Sequence, residues 1–431
     1  MNKNSILGGK FKKDLATYFV GNVLNATIPF ILLPILTRLL TQEEYGEVTM
    51  FVLLVGLLNA FIGVNTHAFV TRKYYDLVSE KNKKDANNSS IIIWIISFVF
   101  ILIMLTIFGS TLSYIFGLSR SQLFLASLSS AFIFLINFRL AHWQVRKNVT
   151  KYTIFQFSLA FANLFFTLIL LFYFFNGSQS RIDAYVMSTV LLGIVGFILI
   201  LKDNLLSFEL PSKLIFLEAL KFGTPLIFHL AGSFLLVAAD RVVINEIMSL
   251  SDVGIYMVAI QVSLVLNVTF SAINKAYVPW LFELLSKSDK DINLKIVRLT
   301  FLYFGSLMVI MFLGFYIAPP LLKFIVGENF KEASELVGYI ILGQCFFGAY
   351  LMVTNYLFFV KKTHFLALTT ITCGLLNLIL LYFMTIKFGL LGAAYSYIIA
   401  MFFRFIFTAI LSNKLFPMPW KAGLISLIIK R

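Results

Sequence analysis

Apolar stretches of roughly 20 residues, about what one helix needs to cross a hydrocarbon core, recur twelve times along this chain. The segments between them carry cations by alternation. The N-terminus (Lys3, Lys10, Lys12, Lys13) and every second connection hold 27 of the 35 Lys and Arg; the connection with Arg72, Lys73, Lys81, Lys83 and Lys84 is one example. The intervening connections hold six, namely Arg38, Arg120, Arg181, Lys323, Lys331 and Lys387, and only Arg241 and Arg404 fall inside apolar stretches. Lys and Arg resist translocation, so the cation-rich side is cytoplasmic. A misplaced span would break the alternation. The pattern predicts an all-α polytopic membrane protein of twelve transmembrane helices with both termini cytoplasmic.

Composition excludes the main alternatives. A chain that is 60% hydrophobic and 13% charged, with mean hydropathy +0.91, is far from a soluble globule, in which about 25% of residues are charged. Its +15 net charge invites a nucleic-acid reading, but the cations lie in loops beside apolar spans, so no nucleic-acid partner is expected. Cys345 and Cys373 fall inside predicted spans and should be free thiols. The apolar run starting near Leu15 is too long for a signal-peptide core and reads as an uncleaved first helix.

The expected spans are 14–40, 46–66, 90–116, 121–140, 152–175, 183–201, 222–247, 253–275, 296–318, 333–359, 365–386 and 389–412. They divide into an N-terminal six-helix lobe (1–201), a cytoplasmic linker (202–221), a C-terminal lobe (222–412) and an interfacial tail (413–431). The polar segments 71–89, 202–221 and 276–295 read as loops.

Catalytic constellations are missing from the sequence. His67, His142, His229 and His364 have no metal-binding spacing, and no HExxH, CxxC or Walker sequence occurs. A membrane enzyme of glycan assembly would need acidic metal clusters or a large outward loop, and neither is present. The function expected is movement.

An internal repeat supports that. Thr41–Gly46 follows the first span and Ser249–Gly254 the seventh, 208 residues on. Val145-Arg146-Lys147 and Val360-Lys361-Lys362 enter the fifth and eleventh spans, 215 apart, and Asn163-Leu164 recurs as Asn377-Leu378, 214 apart. Six helices per half is an even number, so the halves share one orientation. That parallel duplication is an architecture of alternating-access transporters.

At these residues the chain resembles a known family. Pro29-Phe30-Ile31-Leu32-Leu33-Pro34-Ile35-Leu36-Thr37-Arg38-Leu39-Leu40 with Glu43-Glu44-Tyr45-Gly46 resembles the first-helix signature of bacterial polysaccharide-transporter proteins. These are O-antigen and capsule repeat-unit flippases of the multidrug/oligosaccharidyl-lipid/polysaccharide exporter superfamily. Asp240-Arg241 with Asp252-Val253-Gly254-Ile255-Tyr256, and Asn377 with Phe388-Gly389-Leu390-Leu391-Gly392-Ala393-Ala394, resemble later blocks of the same family. The resemblance implies two six-helix lobes in a V around a central cavity, in the bacterial inner membrane. It implies as cargo an undecaprenyl-pyrophosphate-linked oligosaccharide, turned from the cytoplasmic to the periplasmic leaflet. Other polysaccharide-assembly membrane proteins are the partners it brings to mind, besides the lipid bilayer itself.

A diphosphate cannot cross hydrocarbon bare, so the cavity must offer cations. Candidates are Arg241 and Arg404 inside spans, Arg38 at the outer end of the first, and Arg72, Arg139, Arg146 and Lys275 at inner helix ends. Asp240 beside Arg241 is the one acid deep in a span. His229 lies three helical turns before Asp240, on one stripe, and the two could couple proton uptake to movement; no cofactor is expected, and proton or sodium coupling stays open. Asn137, Gln156, Asn163, Gln344, Asn355 and other intramembrane amides should mainly bond between helices, a minority meeting sugar hydroxyls. The second reading is a multidrug or toxin extrusion antiporter of the same fold, which would need more buried carboxylates than Asp240.

Overall fold

The repeated motifs prove to be helix punctuation. The computed structural model describes residues 27–74, 76, 79–207, 209–287 and 290–428, and among them every regular element is helical. The first half runs α1 (Thr27–Leu39), α2 (Gln42–Phe61), α3 (Thr66–Lys73), α4 (Glu80–Phe116), α5 (Arg120–Val145), α6 (Val149–Tyr173) and α7 (Gly177–Lys202). The second runs α8 (Lys213–Ile247), α9 (Leu250–Leu285), α10 (Lys290–Ile325), α11 (Ala333–Phe359), α12 (Thr363–Phe388) and α13 (Leu390–Leu415), with a short α14 (Trp420–Ile428) at the end.

Thr41 caps α2. Its hydroxyl accepts from the Glu44 amide (3.2 Å) while the Glu44 carboxylate accepts from the Thr41 amide (2.7 Å), a reciprocal box that satisfies two orphan donors. Ser249 caps α9 in the same way, accepting from the Asp252 amide at 3.2 Å. The second motif marks helix ends. Arg146 and Val360 are the C-caps of α5 and α11, and the lysines after them, Lys147 and Lys361, are both left-handed (φ 55° and 58°). Arg146 therefore corresponds to Val360, not Val145 to Val360. The shift is 214 residues, in register with Asn163 and Asn377, and the expected 215 is corrected by one.

Ten described helices are long and apolar enough to cross a membrane. α1, shorter and apolar, and α8 take the places of the expected first and seventh spans; residues 14–26 of the expected first span lie outside the described set. Several helices outrun their expected spans: α4 begins at Glu80, α9 ends at Leu285, and α8 begins at Lys213 inside the segment read as linker. The loops expected at 71–89, 202–221 and 276–295 are thus partly helical. The reason is physical. Apolarity marks the hydrocarbon thickness, whereas backbone hydrogen bonding carries a helix on into the polar interface, where charged side chains suit its outer turns.

The chain divides into two compact units, Met1–Ala238 and Ala239–Arg431. In the first, α5 is central, packing on α2, α3, α4 and α7, while α6 leans on α7. In the second, α11 takes the same role against α9, α10 and α13, and α12 leans on α13. Burial follows. The most apolar window of α11 is 72% buried and that of α5 67%, against 17% for α6 and 6% for α10, which leaves the latter pair for lipid. The start of α8 belongs to the first unit: Ile215 and Ala219 share a core with Phe69, Phe138 and Leu205, and Glu218 pairs with Lys73 at 2.5 Å. The chain before it is tied to α4, whose Asn87 and Asn88 amides donate to the carbonyls of Leu205 and Ser207 at 2.8 and 2.9 Å.

One helix departs from its expected continuity. Between α2 and α3 the chain passes through Gly63, Val64 and Asn65 in the left-handed region (φ 75°, 48° and 53°). Glycine adopts that conformation freely and asparagine often, but for a β-branched valine it is strained. Backbone groups freed inside a membrane must find other partners, and here they do. The Gly63 amide donates to the Ser97 hydroxyl at 2.7 Å, the Thr66 hydroxyl donates to the Gly63 carbonyl at 2.8 Å, and the Asn65 amide donates to the Ala60 carbonyl at 3.2 Å. The bend fits tightly: a Cβ on Gly63 would stand 2.1 Å from the Phe134 ring, and one on Gly223 of α8 would stand 2.1 Å from the Val64 carbonyl oxygen.

Candidate functional site

The break in the second helix re-aims its last two turns, and these turns line a cleft of the first unit. α3 brings His67, Thr71 and Arg72 to it; α5 brings Asn137 and Gln144; α6 brings Tyr152 and Gln156. The cleft measures about 540 Å³ and is open on one side, with no carboxylate on its lining. It lies beside the C-terminal ends of α3 and α5 and the N-terminal end of α6. Gln156 donates to the Tyr152 hydroxyl at 3.3 Å, Thr71 to the His67 carbonyl at 2.9 Å, and the buried Nδ1 of His67 has no hydrogen-bond partner among the described residues. Arg72 is exposed and pairs with Asp76 at 3.0 Å one turn away. Exposed pairs of this kind contribute about 0–1 kcal/mol, so the guanidinium can exchange its partner for a more highly charged one.

Other candidate cations are placed differently. Arg139 is fully buried in α5, 2.5 Å from Asp203 and stacked 4.2 Å over Trp143, so it joins α5 to the end of α7 rather than facing a ligand. Arg146 stands 3.8 Å from the same carboxylate. The Arg139 hydrogen bond holds the Asp203 carboxyl below the usual carboxylate range, with Coulombic help from Arg139, Arg146 and Lys151 outweighing its partial desolvation. Arg38 is exposed and donates to the Pro34 carbonyl at 2.8 Å, and Lys275 is exposed on α9.

In the second unit, Asp240 and Arg241 form no ion pair with each other among the described residues. Successive helical side chains diverge by about 100°, and each finds a partner on α9. Asp240 accepts from the Arg241 amide at 2.9 Å and bonds with the Tyr256 side chain, while Arg241 Nε donates to the Met257 thioether at 2.8 Å. Arg404 of α13 stacks 4.2 Å from the Tyr350 ring centre of α11 and donates to its hydroxyl at 3.3 Å, leaving a buried Nε without a partner among the described residues. Neither arginine has a carboxylate partner among the described residues. The side chain of His229 lies outside the described residues, so the stripe expected with Asp240 is not observed.

A family model described as polysaccharide biosynthesis protein matches residues 11–285. The chain belongs to that family. A Haemophilus influenzae protein, the Lsg locus putative protein 1, is 27% identical over 395 residues, covering 89% of this chain and 95% of that one. A putative O-antigen transporter of Shigella flexneri is 31% identical over 161 residues, 37% of this chain and 38% of its own. The lipid II flippase MurJ in an inward closed conformation superposes with a TM-score of 0.73 at 17% identity, over 96% of this chain and 90% of that one. At that identity the likeness concerns the fold, that of an all-α, multi-pass membrane protein.

Sequence reasoning named Arg72, Asn137 and Gln156 separately and missed that they meet. The signal was there. Asn137, Leu140, Ala141 and Gln144 recur at helical spacing along one face of α5, as do Tyr152 and Gln156 on α6 and His67, Ala68, Thr71 and Arg72 on α3. What the spacing could not reveal is that the second helix breaks, which turns the α3 face toward the other two.

Proposed function

We propose that this protein moves a lipid-linked saccharide with a diphosphate headgroup, an undecaprenyl-pyrophosphate-linked oligosaccharide, from the cytoplasmic to the periplasmic leaflet of a bacterial inner membrane by alternating access. Both termini are cytoplasmic in this reading. The observation that carries it is a carboxylate-free polar cleft with a loosely held arginine at its edge, in a membrane chain of a polysaccharide-biosynthesis family. Arg72 offers the diphosphate charge-assisted, bidentate hydrogen bonds stronger than its exposed pair with Asp76. Arg241 and Arg404 are the corresponding cations of the second half: their guanidinium groups rest on a thioether and a tyrosine ring, and ionisable groups at such depth usually mark a functional site. The polyprenyl tail stays in lipid, so the protein need shelter only the headgroup. A cationic drug would instead require buried carboxylates, and the cleft has none.

Deleting the gene and extracting lipids tests this. The expected outcome is accumulation of polyprenyl-linked repeat units in the cytoplasmic leaflet, with loss of the surface polymer. Normal polymer with no accumulated lipid-linked precursor would overturn it.

A further inference from the structure

We propose that the cleft between α3, α5 and α6 is a saccharide subsite, reading the uncharged hydroxyl groups of the cargo rather than its diphosphate. This rests on the flippase reading above and adds to it a division of labour within the first unit. The chemistry of the lining selects the ligand. Six of its ten residues are neutral hydrogen-bonding side chains, one is an arginine, and none is acidic. An amide presents two donors and an acceptor, and an imidazole one of each, which matches neighbouring hydroxyls on a sugar ring. The one cation, Arg72, stands at the edge and is left for the diphosphate, while the lack of acids disfavours a cationic ligand in the cleft itself. The volume of about 540 Å³ falls within the roughly 300–1,000 Å³ typical of small-molecule sites.

Polar residues among spanning helices are costly unless they bond to each other or to a ligand. Here the bonding is incomplete, since among the described residues the His67 Nδ1 has no hydrogen-bond partner. His67 is also the residue most directly placed by the helix break, two positions past left-handed Asn65. The strained turn thus has a chemical purpose. It carries an imidazole and a hydroxyl from the second helix to the amides of α5 and α6, where a continuous helix would hold them on another bearing.

The test compares two probes on the full-length protein in nanodiscs: undecaprenyl pyrophosphate alone, and the lipid-linked oligosaccharide extracted from cells lacking the gene. The variants are Asn137→Leu with Gln144→Leu, and Gln144→Leu alone, an exposed position where folding is not at stake. Loss of about 1 kcal/mol per hydrogen bond means the double variant should bind the oligosaccharide-bearing lipid roughly tenfold or more weakly. The single variant should weaken binding by a few-fold, and both should bind undecaprenyl pyrophosphate as the wild type does. Equal weakening for both probes would overturn the subsite and make the cleft part of the diphosphate site. Unchanged binding of both would reduce it to a wetted vestibule. Failure of the wild type to bind either probe would instead overturn the flippase reading, and is thereby told apart from failure of the subsite.

Discussion

The second helix of each half starts from the same cap and ends differently. α2 begins after Thr41 and breaks at Gly63-Val64-Asn65; α9 begins after Ser249, 208 residues on, and runs unbroken to Leu285. The residues of α9 in register with the break are Ser271, Ala272 and Ile273. None is a glycine or asparagine, so no residue there enters the left-handed region cheaply. In the first half Gly63 and Asn65 permit the turn, and Ser97 and Thr66 satisfy the backbone groups it releases. Among the described residues the second helix thus bends in the first half and stays continuous in the second, through a local change in backbone chemistry.

A second contrast lies one layer away. The C-cap of α7 is Asp203, held by the buried Arg139 of α5. The C-cap of α13 is Phe416, whose ring lies 6.0 Å from that of Tyr356 on α11 and 5.5 Å from Phe359. The same junction between the central helix and the last helix of its half is ionic in one unit and aromatic in the other.

The largest effect should come from filling the break. Gly63→Ala sets a side chain at positive φ and drives it into Phe134, at a cost of roughly 2–4 kcal/mol. In the corresponding turn of α9, Ala272→Gly should cost only about 1 kcal/mol, as for a glycine in a helix interior. Thermal unfolding in detergent measures both, and equal losses would remove the asymmetry between the halves.

Next in size is the ionic junction. Asp203→Asn leaves Arg139 buried with a weaker partner and should cost about 1–3 kcal/mol. Because the Asp203 carboxyl is depressed in the folded protein, the stabilisation is complete above the unfolded value near 4 and fades as pH falls through the lower folded one. The wild-type melting temperature should therefore carry an acid-side decline below about pH 4 that Asp203→Asn lacks. Superimposable pH profiles for the two would dismiss the linkage.

The smallest effect tests where the halves agree. Thr41→Ala and Ser249→Ala each remove one cap and should each cost about 1 kcal/mol. A loss at only one of them would mean that the two starts are not equivalent.

Much of this was legible in the chain. Apolar length and cation alternation specified the spans because the bilayer imposes its thickness and its positive-inside bias on any sequence crossing it. The Thr41 and Ser249 motifs exposed the duplication because a helix start has a fixed hydrogen-bonding need wherever it occurs. Membership of a polysaccharide family was visible in the first-helix block from Pro29 to Leu40. What escaped was the one-residue slip at Arg146 and Val360, because two similar basic turns cannot be registered without their left-handed lysines.

Tertiary structure alone decided the rest. Arg139 read as an inner-end cation, but only packing shows it enclosed by Asp203 and Trp143. The break after Phe61 depended on Ser97 and Phe134, 34 and 71 residues beyond Gly63, so no local pattern could announce it. Local chemistry determines where helices start, how long they run and which faces lipid can tolerate. Whether a helix continues or turns, and hence which polar groups converge on a ligand, depends on partners that only the folded chain brings within reach.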